Sequence, residues 1–252
     1  MPRIELFSTP IDLVGIQQCM DLIKTHGLKK FAYVVTPNVD HIVRINENKG
    51  LIKIYNTAIL SLCDSKVIKI LAKSVCIRLP DVIRGSDLTR ALFESIIKKN
   101  DNLLVIGSNQ SAVSQLKKKY GLEYVNHFIP SMGFINNKTE IASCVEFVVN
   151  HPSRYIFLAV GSPQQEILAY EIYRNGKAKG LGVCVGASIN FLTGVEKRAP
   201  AIVQKFALEW LYRLIQNPRR LWRRYLVDDI KIFPIFLKYC VQKLLFDKKN
   251  NG

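Results

Sequence analysis

The chain has 252 residues, 36 Lys and Arg against 20 Asp and Glu, a formal net charge of +16 and 48% hydrophobic residues. That composition excludes a disordered or collagen-like chain, and the length suits one large α/β domain or one domain with an appendage. The six cysteines (Cys19, Cys63, Cys76, Cys144, Cys184, Cys240) show no CxxC pair or zinc-like spacing, which excludes a disulfide scaffold and reads each thiol as a small buried hydrophobe in a reducing compartment.

Met1–Asp12 carries Glu5 and Asp12 and lacks a long apolar run, so it does not read as a signal peptide. Helical periodicity is expected from Ile11 to His26, followed by a strand at Phe31–Val35. Thr36-Pro37-Asn38 at the end of that strand offers a hydroxyl and an amide suited to sugar hydroxyls, although Asn38 reads equally as the cap of the helix Val39–Asn48. His41, one turn on, reads as a hydrogen-bonded structural histidine. A weaker strand at Leu60–Cys63 leads into Asp64. A carboxylate held at a strand end beside a cleft is a natural general base, and the competing reading is a helix cap or turn residue.

Helix Asp87–Lys99 precedes the strand Leu103–Ile106 and its Gly107-Ser108-Asn109-Gln110 turn, which resembles half of a dinucleotide fingerprint but is not GxGxxG. Helix Ala112–Tyr120, a weaker strand at Tyr124–Ile129 and helix Glu140–Asn150 come next. Strand Tyr155–Val160 runs into Gly161-Ser162-Pro163-Gln164-Gln165-Glu166. There Gly161 permits close backbone approach, Pro163 suits a first helical turn, and Gln165 and Glu166 sit where the helix Gln165–Asn175 would present them to a ligand. Strand Leu181–Val185 ends at Gly186-Ala187-Ser188. This alternation predicts a mostly parallel sheet with helices on both faces, with five loops converging on the rim beyond its carboxyl ends.

After Gly194 no strand is expected, and the chain turns helical, aromatic and basic over Phe206–Gln216 and Pro218–Leu226, giving a core over 1–195 and an appendage over 196–252. From Lys197 to Gly252 there are 13 Lys and Arg against Glu209, Asp228, Asp229 and Asp247, so these 56 residues carry +9 of the +16. The excess points to an anionic partner: nucleic acid, an anionic lipid surface or a phosphorylated substrate. In Pro218–Tyr225, helical spacing places Arg220, Arg223 and Arg224 on one face, with Leu221, Trp222 and Tyr225 toward another. Arginines can neutralise a diphosphate, and aromatics suit a membrane interface, where Trp222, Phe233, Phe236 and Tyr239 are expected at the headgroup level. The most apolar late stretch, Ile232–Phe246, is interrupted by Lys238, Gln242 and Lys243 and falls short of the roughly 20 apolar residues of a span. Asp-x-Asp, a common cation-holding arrangement of sugar-nucleotide transferases, is absent from the sequence.

These residues resemble the WecG/TagA/CpsF glycosyltransferases, glycosyltransferase family 26, over nearly the whole chain. The likeness runs through Thr36-Pro37-Asn38 with His41, Asp64, Gly85-Ser86-Asp87-Leu88, the Gly107 turn, Gly133-Phe134, Gly161-x-Pro163-x-Gln165-Glu166 and Gly186 to Gly194. It closes on Lys197-Arg198-Ala199-Pro200, Glu209-Trp210-Leu211-Tyr212-Arg213 and Pro218-Arg219-Arg220 through Arg224-Tyr225. Ser65, Gln164, Asn190 and Val82 stand where the family commonly has Gly, Lys or Arg, Asp and Arg, with Arg84 the nearby substitute for the last.

The resemblance implies a Rossmann-like core with a C-terminal appendage and inverting transfer from a UDP-sugar without a metal or other cofactor. The implied acceptor is a polyprenyl-diphosphate-linked saccharide at the inner face of the bacterial cell membrane, where the protein would sit peripherally, and homo-oligomers are implied as well. Asp64 then matches the proposed base. Thr36, Asn38, Arg84, Gly107, Gly133, Gly161, Gln165, Glu166 and Gly186 fall in the substrate-binding set, together with Arg213, Arg220, Arg223 and Arg224 of the appendage. An N-acetylmannosamine-type donor is expected first, with UDP-hexoses or UDP-uronic acids as alternatives. A nucleic-acid-binding protein and a catalytically lapsed assembly partner are the other readings; no HTH, RRM or KH signature supports the former.

Overall fold

The computed structural model describes residues 1–196, 199–200, 203 and 208–250, without the side chains of residue 220 and of residues 246–250. Lys197-Arg198 of the basic motif and the helix start expected near Phe206 lie outside the described residues.

The chain opens with an antiparallel hairpin, β1 (Arg3–Leu6) and β2 (Thr9–Asp12), turned through positive φ at Phe7 and Ser8. This corrects the helix expected from Ile11. Asp12 accepts two bonds from the Arg3 guanidinium at 2.7 and 2.8 Å and one from the Ser61 amide at 2.7 Å, fixing the segment as a strand. Helix α1 (Ile16–His26) begins only after Gly15.

Next come β3 (Ala32–Val35), α2 (Val39–Glu47), α3 (Ile52–Thr57), β4 (Leu60–Ser61), α4 (Lys66–Ser74) and α5 (Gly85–Ser95). The second half adds β5 (Leu103–Gly107), α6 (Gln110–Tyr120), β6 (Val125–Phe128), α7 (Lys138–Asn150), β7 (Tyr155–Ala159), α8 (Gln164–Asn175), β8 (Leu181–Cys184) and α9 (Ser188–Thr193). The expected strands are all present. The short helices α3, α4 and α9 fall in stretches where the sequence pattern predicts none.

Six strands form one sheet in the order β4-β3-β8-β7-β5-β6, every neighbouring pair parallel. Successive residues alternate between its faces. Val34, Val105, Phe157 and Val183 enter the core with α1, α5, α6 and α9, while Tyr33, Ile106, Leu158 and Cys184 face α7 and α8. Both faces are covered, which is why the strands read as continuous apolar runs. Full burial of each such side chain stabilises the fold by roughly 1.5–3 kcal/mol.

A third core joins the hairpin to the last helix of the chain. Leu6, Phe7 and Ile11 pack with Ile42 and Val43 of α2, Ile68 of α4 and Ile232. The C-terminal helices are Glu209–Gln216 and Pro218–Arg223, a π-helical turn at Arg224–Asp228, a 3-10 turn at Asp229–Lys231 and a helix over Ile232–Asn250. Phe7 meets Phe236 and Tyr239 edge-on, with ring centroids 5.9 and 5.1 Å apart. Phe236 and Tyr239, expected on sequence to face a membrane with Trp222 and Phe233, thus turn inward; Trp222 and Phe233 are exposed. Among the described residues, no helix is long and apolar enough to cross a membrane.

The Cys19 and Cys63 thiols are pushed up to about 12, Cys144 to about 11, in each case first by burial, as fits packed rather than nucleophilic cysteines.

Candidate functional site

A cleft of about 780 Å³ opens beyond the carboxyl ends of β3, β4, β7 and β8 and is walled on its far side by the C-terminal helices. This is where an open parallel sheet leaves room for a ligand, since adjacent loops diverge there.

Gly85, the first residue of α5, marks the floor. A Cβ there would stand 3.2 Å from Thr36 Oγ1 and 3.8 Å from both Asp64 Oδ2 and Ser188 Oγ, so loops after three strands meet at one point. The Gly85 amide donates to Asp64 Oδ2 at 3.0 Å, and the Asp64 amide donates to the Pro37 carbonyl at 2.9 Å. The cap of α4 is Ser65, whose hydroxyl accepts from the Ile68 amide at 3.3 Å. Asp64 therefore does not cap α4, the helix that follows it; its Oδ2 takes the first amide of α5 instead. The cap of α4 is the local use of serine in place of the family's usual glycine at 65.

Burial raises the Asp64 carboxyl to about 7. The Gly85 amide, Arg213 and Arg84 pull it down, and Glu209 pushes it up. A carboxylate titrating there can both accept and release a proton near neutral pH.

Gln165 and Glu166 form the adjoining wall and the layer beneath it. Gln165 Nε2 donates to Glu166 Oε1 at 2.7 Å, and its Oε1 accepts from the Gly186 amide at 2.8 Å, so its amide is fixed from two sides. Glu166 is 1% exposed and lies 3.3 Å from His41 Nε2; His41 Nδ1 lies 2.8 Å from Asn38 Oδ1. Burial would raise the Glu166 carboxyl, but the His41 bond and charge, with Gln165 and Ser162, outweigh it and hold it below the usual range. His41 links Asn38 to Glu166, the structural role expected of it. Pro163, expected at a first helical turn, stands immediately before α8 and follows a cis peptide bond.

The positive wall comes from two directions. Arg84 stands immediately before α5 and pairs with Asp87 at 3.3 Å and with Glu209 at 3.5 Å. Arg213 pairs with Glu209 at 2.9 Å and covers the Phe191 ring at 5.1 Å. Arg224 borders the cleft and pairs with Asp40 of α2 at 3.5 Å. Leu221, Tyr225 and Phe233 add apolar surface to the lining.

The cleft therefore brings together Thr36, Asn38, Asp64, Arg84, Gly161, Gln165, Gly186, Arg213 and Arg224 of the sequence-derived set. Gly107, Gly133, Glu166 and Arg223 do not line it, and the side chain of Arg220 lies outside the described residues. Gly107 is fixed by packing: at φ +86°, a Cβ would fall 2.5 Å from Val160 Cγ1. Its neighbour Ser108 donates to Asn190 Oδ1 at 2.9 Å, and Asn190 donates to Glu196 at 3.0 Å, a bond that the family's usual aspartate would not make. Arg223 is exposed and Arg224 half-buried: adjacent residues of a helix point about 100° apart, so only one of the two turns toward α2. Sequence reasoning missed Glu209, Ser188 and Asp40 as site neighbours. The four-residue spacing of Glu209 and Arg213 was the available signal for the first.

Among the described residues, no group of three or more His, Cys, Asp or Glu side chains gathers in a metal-holding arrangement. The arrangement can hold an anionic, hydroxyl-rich ligand between a titrating carboxylate and guanidinium groups.

Two comparisons with known proteins bear on this arrangement. The sequence model of the Glycosyl transferase WecG/TagA/CpsF family matches residues 4–245. An N-acetylglucosaminyldiphosphoundecaprenol N-acetyl-beta-D-mannosaminyltransferase of Bacillus spizizenii is 28% identical over 202 residues, covering 78% of this chain and 76% of that protein.

Proposed function

The chain belongs to the WecG/TagA/CpsF family of glycosyl transferases, and from that premise we propose that it transfers an N-acetylmannosamine-type sugar from a UDP-sugar to a polyprenyl-diphosphate-linked saccharide. The reaction serves bacterial cell-surface polysaccharide or teichoic acid synthesis. The single observation that carries the reading is Asp64, a carboxylate titrating near neutrality on the floor of a cleft with Arg84, Arg213 and Arg224 in its walls. The activity for which the Bacillus spizizenii relative is named supports the choice of donor and acceptor.

Transfer is a single in-line displacement with inversion. The acceptor hydroxyl oxygen forms a bond to the anomeric carbon as the bond to the UDP oxygen breaks, and the hydroxyl proton passes to an Asp64 carboxylate oxygen. Such a base contributes about 10²–10⁴-fold. The diphosphate gains negative charge as it leaves, and guanidinium groups fixed before the reaction stabilise that charge without reorganising. They do the electrostatic work a divalent cation does elsewhere. Thr36, Asn38 and the doubly anchored Gln165 amide supply donors and acceptors for sugar hydroxyls.

The core over 1–195 carries the chemistry. The segment over 196–252 supplies arginines and meets the inner face of the cell membrane through exposed Trp222, Leu226, Phe233 and Leu237 and its basic residues. The test is UDP release from a panel of UDP-sugars with a short-chain polyprenyl-diphosphate N-acetylglucosamine acceptor, in EDTA. Acceptor-dependent release from UDP-N-acetylmannosamine is expected. Release only from a UDP-hexose or UDP-uronic acid would overturn the donor, and no release with any donor or acceptor would overturn the reading.

A further inference from the structure

Asp40 belongs to the same turn of α2 that sets Asn38 and His41 toward the cleft, yet Asp40 itself does not line the ligand space. It is 3% exposed. One oxygen pairs with Arg44 Nε of its own helix at 3.1 Å, the other with Arg224 Nη2 of the C-terminal helices at 3.5 Å. A carboxylate so deeply buried is retained only when paired, and its place in the first turn of α2 adds the favourable end of the helix dipole.

The rest of the seam is unevenly satisfied. Among the described residues, Asp40 Oδ2, Arg44 Nη1, Arg224 Nε and Asp229 Oδ1 are buried without a hydrogen bond, so the contact of Asp40 with Arg224 is an ion pair only. Asp229 feels the same neighbours. Its carboxyl is raised to about 6 by burial, lowered by Arg224, raised by Asp40 and Asp228, and lowered by Arg44. Two acids and two arginines thus face one another across the boundary between α2 and the C-terminal turns. Arg224 and Asp229 border the cleft, and Asp40 and Arg44 stand behind them.

We propose that Asp40 is a positioning residue that holds Arg224, and with it the C-terminal turns, against the catalytic cleft. It touches no substrate and acts through the guanidinium: the ion pair at 3.5 Å holds the charge of Arg224 at the border of the cleft without taking a hydrogen-bond donor from it, so the Nη donors stay available for a diphosphate oxygen. Because Asp40 and Asn38 share one helical turn, seating of the C-terminal helices and geometry of the sugar-binding loop become a single event. The inference rests on the reading of Arg224 as a diphosphate-binding group.

The experiment uses the full chain and UDP itself as probe, by titration calorimetry on wild type, Asp40→Asn, Arg224→Ala and the double variant. Each single variant is expected to weaken UDP binding about tenfold, and the double variant to bind no more weakly than Arg224→Ala alone. Losses that multiply in the double variant would overturn the proposal, because a merely structural aspartate acts independently of Arg224. So would unchanged UDP binding in Asp40→Asn or in Arg224→Ala.

Amide exchange on the ligand-free proteins gives a second readout. Exchange over 218–231 should quicken in Asp40→Asn while α8 stays protected, and unchanged exchange would overturn the seating role. Where Asp40→Asn does not fold, Asp40→Glu keeps the charge and is expected to retain coupling to Arg224 with a smaller loss. Failure of wild type to bind UDP would overturn the transferase reading and the diphosphate role of Arg224, and the exchange comparison would still decide the seating.

Discussion

Replacing Asp64 by Asn removes the ionisable group and keeps an oxygen able to accept the Gly85 amide, which now reaches Asp64 Oδ2 at 3.0 Å. The substitution has two effects of opposite sign. Turnover should fall by about 10²–10⁴-fold, the usual contribution of a positioned base. Stability should rise. Burial keeps the native carboxyl protonated up to about 7, against 3.8 for an unperturbed aspartate. The contribution of this group to stability is therefore complete below pH 3.8 and is lost as pH rises to 7. At about 1.4 kcal/mol per pH unit, the loss is on the order of 4 kcal/mol, and the Asn variant escapes it.

Acceptor-dependent UDP release between pH 5.5 and 9 checks the first effect: wild-type kcat/KM should climb with pH and level off above about 7. Denaturant unfolding of both proteins at pH 4.5 and pH 8 checks the second, with the advantage of the variant larger at pH 8. A variant within tenfold of wild type, or a wild-type rate flat across the range, would refute the assignment of Asp64 as base. A stability difference that does not grow with pH would refute the raised carboxyl.

Glu209→Gln removes the negative charge that pushes Asp64 up while Arg84 and Arg213 still pull it down, so the acidic limb of the kcat/KM profile should move to lower pH. A shift to higher pH would contradict the geometry. Gly180→Ala should lower the melting temperature sharply, by more than the few degrees that about 1 kcal/mol represents. At φ +105° its Cβ would fall 1.8 Å from the Ser153 carbonyl oxygen; melting within two degrees of wild type would show that the turn yields. Deleting 197–252 should abolish UDP release and also destabilise what remains, because Phe7 and Ile11 lose Ile232, Phe236 and Tyr239 as packing partners. Equal melting temperatures would count against that third core. Lys231→Ala should leave the melting temperature close to that of wild type, because its 2.6 Å pair with Glu47 lies at the surface and is screened by solvent.

Much of this arrangement was legible along the chain. Tyr155–Ala159 and Leu103–Gly107 are apolar throughout because both sheet faces are covered, and such runs alternating with amphipathic helices specify parallel strands. The hairpin at Arg3–Asp12 was not legible. Ile11 and Val14 fit a helical stripe leading into α1, and the strand is fixed by Arg3 and Ser61 bonding Asp12. Asp64 read along the chain as either a base or a cap or turn residue, and only the folded backbone shows Ser65 capping α4 in its place.

The sequence by itself determined the alternating α/β sheet, the rim of polar loops and a basic, aromatic C-terminal segment, because periodicity and composition are properties of neighbours along the chain. Tertiary structure decided which charges meet. Arg223 and Arg224 are adjacent and chemically identical, yet the way their helix packs against α2 leaves one in solvent and pairs the other with Asp40. Glu209 reaches Arg84, and through it the surroundings of Asp64, only because the C-terminal helices fold back over the carboxyl end of the sheet. Local spacing fixes neighbours within a helix, whereas pairs between distant segments depend on how whole elements pack.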